Sequence, residues 1–200
     1  MKQIEIHNKI DSFFKREVNS ASTKVAYDLI MHNTDAKRYF FSIANEAWIK
    51  WLWAKDFFSE LKKPSKDTTV YSYRLPELEY LTRMVEKDPQ TVSDIINSVS
   101  ISKTTFNPEV VDRFFWITGL LPVQYIKMIL PKILTENWVQ LMSPFNRSGY
   151  EYKKIAEKVI EAKDWDALII LAKIILTIRT REELDAMEKF SIADKLFYLH

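Results

Sequence analysis

The chain has 200 residues, of which 47% are hydrophobic and 28% are charged, as is typical of one folded domain rather than a disordered segment. It contains no cysteine, which excludes disulfides, cysteine-ligated zinc sites and thiol nucleophiles. Its formal net charge is only +2, from 29 basic and 27 acidic residues, so the overall charge does not require a nucleic-acid partner.

Glycine is scarce, because Gly119 and Gly149 are the only two in the chain. Phosphate-binding loops, dinucleotide-binding fingerprints and nucleophile elbows all depend on clustered glycines. The sequence therefore excludes these sites, and it also lacks the Asn-Gly and Asp-Gly pairs that favour tight hairpins. Together with many Leu, Ile, Lys, Glu and Ala residues, this composition predicts an all-α chain.

The first fourteen residues are charged or polar at short intervals and lack the apolar core of a signal peptide. The longest apolar run, residues 167–178, has about twelve residues and is interrupted by Lys173, whereas a membrane span needs about 20. We interpret this run as a buried helix and expect a cytoplasmic protein without membrane segments. The lack of cysteine also fits a reducing compartment.

The first third of the chain predicts four helices and one long loop. Residues 2–18 are amphipathic with helical periodicity, and a shorter helix follows around 24–31. A helical pair then covers 33–58, and Asn45 is the expected N-cap between its two members. Residues 62–74 form the longest predicted loop.

Prolines and capping residues mark the later helix starts. A proline at the first helical position loses no hydrogen bond, and an Asp, Asn, Ser or Thr before it caps the free N–H groups. Gly119 stands where the cap at the end of a helix is expected. The starts predicted in this way are at Pro76, Asp88-Pro89, Asn107-Pro108, Pro122, Ser148, Asp164, Thr180 and Ser191.

Together with the two starts at Asp35 and Asn45, these starts fall into five pairs. The first members begin at Asp35, Pro76, Pro108, Gly149 and Arg181, at alternating intervals of 41 and 32 residues. Helical-pair repeats have periods of about 34 to 47 residues and bury their apolar faces by stacking. The units share length and pattern but no sequence identity. The sequence therefore predicts one domain over residues 1–200, an all-α, HEAT-like α-solenoid of about five helical pairs, with an irregular helical bundle as the alternative.

Residues 38–58 contain eight aromatic side chains among 21 residues. One interpretation is the interior of a helical layer, which buries Trp48 and Trp51. A second interpretation is a base-stacking surface beside nearby lysines. A third is a partner interface, since Trp53 and Phe57 lie four residues apart on another flank of a continuous helix, and tryptophan is enriched among interface anchors.

The titratable residues show no pattern that is typical of catalysis, a cofactor or a metal. His7, His32 and His200 are far apart in the sequence and lack a second ligand at helical spacing. Adjacent acids such as Glu182 and Glu183 lie at predicted helix starts, where the helix dipole favours negative charge. We therefore expect no catalytic residue, no cofactor and no metal.

A basic group on the long predicted loop, Lys62, Lys63 and Lys66, is the candidate for phosphate contact. A nucleic-acid-binding helical module that uses these loop lysines is therefore the alternative function. Such binding is expected to be weak and sensitive to salt, because few phosphates would be contacted and acids nearly balance bases.

Three segments carry a resemblance to a known class of proteins: the aromatic stretch at 38–58, YLTRMVEKDP at 80–89, and the Asn-Pro helix start at 107–108. Over residues 35–132 the chain resembles the helical N-terminal regions of large, mostly uncharacterised bacterial proteins, which are similar to HEAT repeats. The resemblance implies a scaffold and carries no catalytic residue. Some such proteins sit in antiviral defence operons, so it also implies a setting in bacterial antiviral defence.

These features together predict a non-catalytic protein-interaction or scaffolding domain, whose partner is another protein or a further domain of the same polypeptide. The final segment, SIADKLFYLH, is amphipathic and lacks the polar outer face of a terminal repeat. We therefore expect the chain to be the N-terminal part of a longer protein. The candidate partner contacts are Trp53, Phe57, Phe197 and Leu199.

Overall fold

The computed structural model describes residues 3–14, 18, 20–62, 75–102, 107–142 and 150–177. Within these ranges every regular element is a helix and no strand occurs, which confirms the all-α prediction. The α-helices of these ranges are α1 (Gln3–Phe14), α2 (Ser20–His32), α3 (Thr34–Ile43), α4 (Ile49–Ala54), α5 (Pro76–Met84), α6 (Pro89–Ser98), α7 (Pro108–Leu120), α8 (Val123–Thr135), α9 (Trp138–Leu141), α10 (Tyr150–Glu161) and α11 (Trp165–Leu176). Two short 3-10 helices cover Glu46–Trp48 and Ser59–Lys62.

The helix starts follow the local chemistry that the sequence predicts. Helices α5, α6 and α7 begin with Pro76, Pro89 and Pro108. The side chains of Asp88 and Asn107 accept hydrogen bonds of 3.1 Å from backbone N–H groups in the first turns of α6 and α7. Of the loop predicted at 62–74, Lys62 instead ends the 3-10 helix Ser59–Lys62, and residues 63–74 lie outside the described residues. The starts predicted at Ser148, Thr180 and Ser191 also lie outside them.

Helix α7 continues through Gly119 to Leu120, so Gly119 is not the C-cap that the sequence suggested. The C-cap is instead Leu121, which is extended (φ −62°, ψ 154°) because the ring of Pro122 disfavours a helical residue before it. The Nζ atom of Lys158 donates hydrogen bonds of 2.8 Å to the carbonyl oxygens of Leu120 and Leu121. Lys158 thereby satisfies two carbonyl groups at the end of α7, where the helix itself provides no partner.

In the described part of the chain, three non-glycine residues with left-handed backbone follow helices: Asp56 (φ 63°), Asn137 (φ 53°) and Lys163 (φ 55°). Asp56 and Lys163 close Schellman motifs. In each motif, the N–H of the left-handed residue and the N–H of the next residue donate to carbonyl oxygens three and five positions back. A left-handed residue redirects the chain, so the residues after Asp56 do not continue the line of α4.

The helices pack in two series that follow the order of the chain. In the first series α3 packs against α5, α5 against α7, and α7 against α10. In the second series α4 packs against α6, α6 against α8, and α8 against α11. The two series are joined where α5 contacts α6, α7 contacts α8 and α10 contacts α11, while α1 and α2 pack against α3.

Aromatic rings fill the core around α3 and α4. Trp48 is 1% exposed and makes edge-to-face contacts with Phe40 and Trp51, at centroid distances of 5.1 and 5.3 Å. Phe14 of α1 lies 5.4 Å from the same tryptophan ring. The burial of Trp48 confirms the interpretation of this segment as a helical interior. Trp51 was also predicted to be buried, but it is only partly buried and lies at the margin of the core.

None of the helices in the described part of the chain is long and apolar enough to cross a membrane. The apolar run that begins at Ala167 belongs to α11, which has twelve residues and starts at Trp165.

Candidate functional site

The segment around Trp53 is the first candidate surface, and the structure separates its two predicted anchors. Trp53 is 36% exposed on α4. Phe57 is only 3% exposed, and its ring lies 5.8 Å from Trp51 and 6.0 Å from Phe41. The left-handed turn at Asp56 directs Phe57 into the core instead of continuing the helix. Trp53 therefore stays a surface candidate, and the assignment of Phe57 to a partner interface is corrected.

One other predicted contact residue, Lys62, lies within the described part of the chain. Lys62 is the last residue of the 3-10 helix Ser59–Lys62. The remaining candidates lie outside the described residues: Lys63, Lys66, Phe197 and Leu199.

Met128 on α8 is a second exposed apolar side chain, at 48% exposure. The buried residues of α8 lie on the opposite side of the helix and are Ile126, Ile129, Leu130 and Ile133. Around Met128 the same outward face carries Gln124 and Lys127, which are exposed. α4 and α8 both belong to the second packing series, so Trp53 and Met128 lie on helices of one layer.

Helix α11 is apolar on two sides. One side is buried and consists of Ala167, Leu168, Leu171, Ile174 and Ile175. Three further large apolar residues are exposed, namely Trp165 at 47%, Ile169 at 54% and Leu176 at 68%. Their spacing of four and seven residues places them along one line of the helix, which we call the α11 stripe. The sequence interpretation of this run as a fully buried helix is therefore corrected, because only one side is buried.

The N-terminus of α11 is held by Asp164. Its Oδ1 atom accepts a hydrogen bond of 3.2 Å from the backbone N–H of Ala167, and its Oδ2 atom lies 3.3 Å from Nζ of Lys127 on α8. The hydrogen bond from the N–H of Ala167, followed by the hydrogen bond and then the charge of Lys127, holds the pKa of Asp164 below its ordinary value of 3.8. This capping therefore favours the ionised carboxylate and positions the start of the stripe-bearing helix.

Replacing Asp164 by alanine is expected to lower stability at neutral pH. Because the folded chain binds this proton less tightly than the unfolded chain, the contribution is present above the ordinary pKa of 3.8 and is lost as the pH falls through the folded value. Asp164→Asn, which keeps a capping oxygen, should lose less. Urea unfolding of the three proteins from pH 7 down to pH 3 measures this, and a difference that persists undiminished at the lowest pH would contradict the assignment.

Burial explains the shifted pKa values of three other groups. Burial lowers the pKa of Lys158, which caps α7, and burial raises the pKa of Glu109 on the same helix. Burial also raises the pKa of Tyr80, whose hydroxyl donates to the carbonyl oxygen of Asn45 at 2.8 Å. Burial is the largest cause of each of these three pKa shifts.

The histidines lie apart from one another in the described ranges. The ring of His7 stacks on Tyr39 at 3.8 Å, and the hydroxyl of Tyr39 donates to Asp11 at 2.9 Å. Nδ1 of His32 lies 2.8 Å from the carbonyl oxygen of Asp28 in its own helix. Among the residues that the structure describes, no three His, Asp or Glu side chains lie together as ligands for a metal ion.

The α11 stripe is the feature that the sequence interpretation missed. The signal was present, because Trp165, Ile169 and Leu176 repeat at helical spacing beside the buried set. A helix that is apolar on more than one side is typical of a helix buried between neighbours, so the pattern predicts complete burial. Which side remains uncovered depends on the neighbouring helices.

The comparisons with known proteins add no further assignment. No family model matches this sequence, and neither a curated protein nor a solved structure matches it significantly.

Proposed function

We propose that the chain is a non-catalytic protein-interaction or scaffolding domain, built from stacked helical pairs of the HEAT type. The observation that carries the proposal is the packing of neighbouring pairs through both members, α3–α5–α7–α10 on one side and α4–α6–α8–α11 on the other. Stacked hairpins of this kind bury their apolar faces only against neighbours and present long surfaces to partners. An irregular bundle lacks such a regular order.

The partner surface is assigned to the second members of the pairs. The exposed large side chains Trp53 and Met128 lie on α4 and α8, whose order in the layer is α4, α6, α8. Tryptophan and methionine are enriched in protein interfaces, where they fill apolar pockets of the partner. The partner in this proposal is a protein, or a further domain of the same polypeptide, in the cytoplasm. The reducing cytoplasm agrees with the lack of cysteine.

Two charge insertions on this surface test the proposal. Met128→Glu and Trp53→Glu are expected to weaken capture of a partner that the unmodified chain retains, because each places a carboxylate in an apolar contact. Gln124→Glu is the matched control, since it adds the same charge to the same outward face of α8 without removing an apolar side chain. Proteins that the unmodified chain retains from an extract of the cells in which it is naturally made are purified. Each variant is then titrated with these proteins at low and at near-physiological salt.

The salt dependence distinguishes the proposal from its alternative. An apolar contact is not screened, so binding should survive near-physiological salt and fall only in the Trp53 and Met128 variants. A parallel titration uses single-stranded and double-stranded oligonucleotides. The alternative function predicts tight oligonucleotide binding that decreases with salt and is lost on charge reversal at Lys62, Lys63 and Lys66. That result would contradict the scaffold proposal and support a nucleic-acid-binding module.

A further inference from the structure

Two opposite charges run beside the α11 stripe. Asp166 and Lys173 are both exposed, and their spacing of seven residues places them on one line of the helix, along one edge of the stripe. Ile169 lies between them, three residues after Asp166 and four residues before Lys173. The two charges are about 10 Å apart along the helix, which is too far for them to pair with each other. Among the described residues, neither side chain has an ion-pair or hydrogen-bond partner.

This placement of charges is complementary to itself when two copies of α11 pack antiparallel. A two-fold axis perpendicular to the plane of the two helices reverses one helix and keeps both charged lines on the same edge of the contact. With Ile169 near the axis, Asp166 of each copy lies opposite Lys173 of the other, so two equivalent ion pairs form. In a parallel two-fold pair the charged lines lie on opposite edges of the contact, and the charges do not meet.

The apolar side chains match in the same antiparallel arrangement. Ile169 meets its counterpart near the axis, and Trp165 at one end of the helix lies close to Leu176 at the other end. Ile169 and Leu176 are 54% and 68% exposed, so the contact removes apolar surface from water. Exposed ion pairs contribute little affinity, but they select orientation and register. The apolar line therefore supplies the attraction, and the charges fix how the two helices align.

The size of the stripe indicates a weak and reversible contact. Helix α11 has twelve residues and is about 18 Å long, so one side of it supplies less surface than the roughly 1,200 Å² of a stable interface. Symmetry favours a second copy as the occupant, because every group in such a contact must meet its counterpart across the axis. Asp166 and Lys173 meet this requirement about Ile169, whereas contact with an unrelated protein imposes no such symmetry.

We propose that the α11 stripe binds the α11 stripe of a second copy of the chain, in an antiparallel two-fold dimer that pairs Asp166 with Lys173. The inference rests on α11 alone and goes beyond the proposed function, because it does not depend on the surface that carries Trp53 and Met128. The dimer is expected to form and dissociate with protein concentration.

Sedimentation velocity tests the dimer. The unmodified chain, studied from about 1 µM to about 1 mM, should show a monomer–dimer equilibrium, because a small interface gives dissociation constants in this range. Ile169→Glu should stay monomeric, since it brings two carboxylates together near the axis. Met128→Glu is the matched control on α8, where it also places a carboxylate at an exposed apolar position, and it should dimerise like the unmodified chain. A chain that stays monomeric at the highest concentration, or an Ile169→Glu protein that still dimerises, overturns the proposal.

Charge reversal tests the antiparallel alignment. Asp166→Lys and Lys173→Glu should each raise the dissociation constant about tenfold, because two weak attractions become two repulsions. An equimolar mixture of the two variants should associate again, because the lysine placed at position 166 of one chain lies opposite the glutamate placed at position 173 of the other. Lys87→Glu, on the turn between α5 and α6, is the control and should change nothing. If both variants are folded by circular dichroism and their mixture associates no better than either alone, the antiparallel contact is overturned.

Thiol labelling shows what covers the stripe, because the chain has no cysteine of its own. The thiol of Ile169→Cys, kept reduced, should react more slowly as the protein concentration rises, in proportion to the fraction of monomer measured by sedimentation. The thiol of Met31→Cys, at a position 40% exposed on α2, should react at a constant rate. Slow labelling of Ile169→Cys at every concentration indicates that another part of the same chain covers the stripe, and it overturns the proposal, as does fast labelling at every concentration.

Discussion

Trp48→Ala is expected to lower the free energy of unfolding by about 3–5 kcal/mol, the cost of removing a large aromatic side chain from a core. Trp48 is 1% exposed and lies between α1, α3 and α4, where its ring contacts those of Phe14, Phe40 and Trp51. Alanine leaves a cavity in the middle of this cluster. Urea unfolding followed by circular dichroism measures the change in the midpoint.

Two neighbouring tryptophans provide the controls in the same segment. Trp51 is partly buried and Trp53 is 36% exposed, so the losses should decrease in the order Trp48, Trp51, Trp53. The change at Trp53 should be small, because surface substitutions rarely exceed about 0.5 kcal/mol. Equal losses at all three positions would show that the burial of Trp48 does not determine the stability of this region.

Lys37→Met is expected to cost about 3 kcal/mol, because it leaves a buried charge uncompensated. The ammonium group of Lys37 on α3 forms an ion pair with Oε1 of Glu77 on α5. The side chain of Glu77 is only 2% exposed, and its Oε2 atom accepts no hydrogen bond within the described residues. Removing the lysine therefore removes the charged partner of a carboxylate that water does not reach.

A double-mutant cycle separates the charge effect from packing. Lys37→Met combined with Glu77→Leu should recover most of the loss, because no buried charge then remains. Lys153→Met is the control at an exposed ion pair. Nζ of Lys153 lies 3.6 Å from Oε1 of Glu157, and both side chains are more than half exposed. Its effect should be about 0.5 kcal/mol or less. A double variant that is as unstable as Lys37→Met would contradict the assignment.

The helix starts could be predicted because their causes lie within three or four residues of sequence. Asp88, Asn107 and Asp164 accept hydrogen bonds from the backbone two or three positions ahead, and the prolines at 89 and 108 occupy positions without an internal hydrogen-bond partner. No other part of the fold needs to be known for such a prediction. The all-α class follows from the same local signals.

The end of a helix was harder to predict where a non-glycine residue ends it. Asp56 adopts a left-handed backbone conformation. Aspartate tolerates this conformation better than most residues do, but an aspartate in the sequence does not by itself predict it. A continuous helix through this position would place Phe57 beside Trp53, whereas the observed turn buries Phe57 against Phe41. The error at Phe57 therefore arose from one backbone conformation.

Contacts between distant parts of the chain could not be predicted from local pattern. Lys37 and Glu77 belong to different helical pairs, and their ion pair depends on how α3 and α5 align. The exposure of Ile169 and Leu176 likewise depends on which helices cover α11, although their spacing is visible in the sequence. Only the arrangement of neighbours distinguishes a buried apolar line from an exposed one.

The two packing series also bear on how the chain reaches its fold. The principal packing partners of each described helix lie within three helices of it along the chain. Chains whose contacts are mostly local fold quickly, because little loop entropy is lost before a contact forms. Synthesis proceeds at about 5–20 residues per second, so early helices have time to pack while later ones are still being made. The aromatic cluster around Trp48 can thus assemble on the ribosome before α11 has been translated.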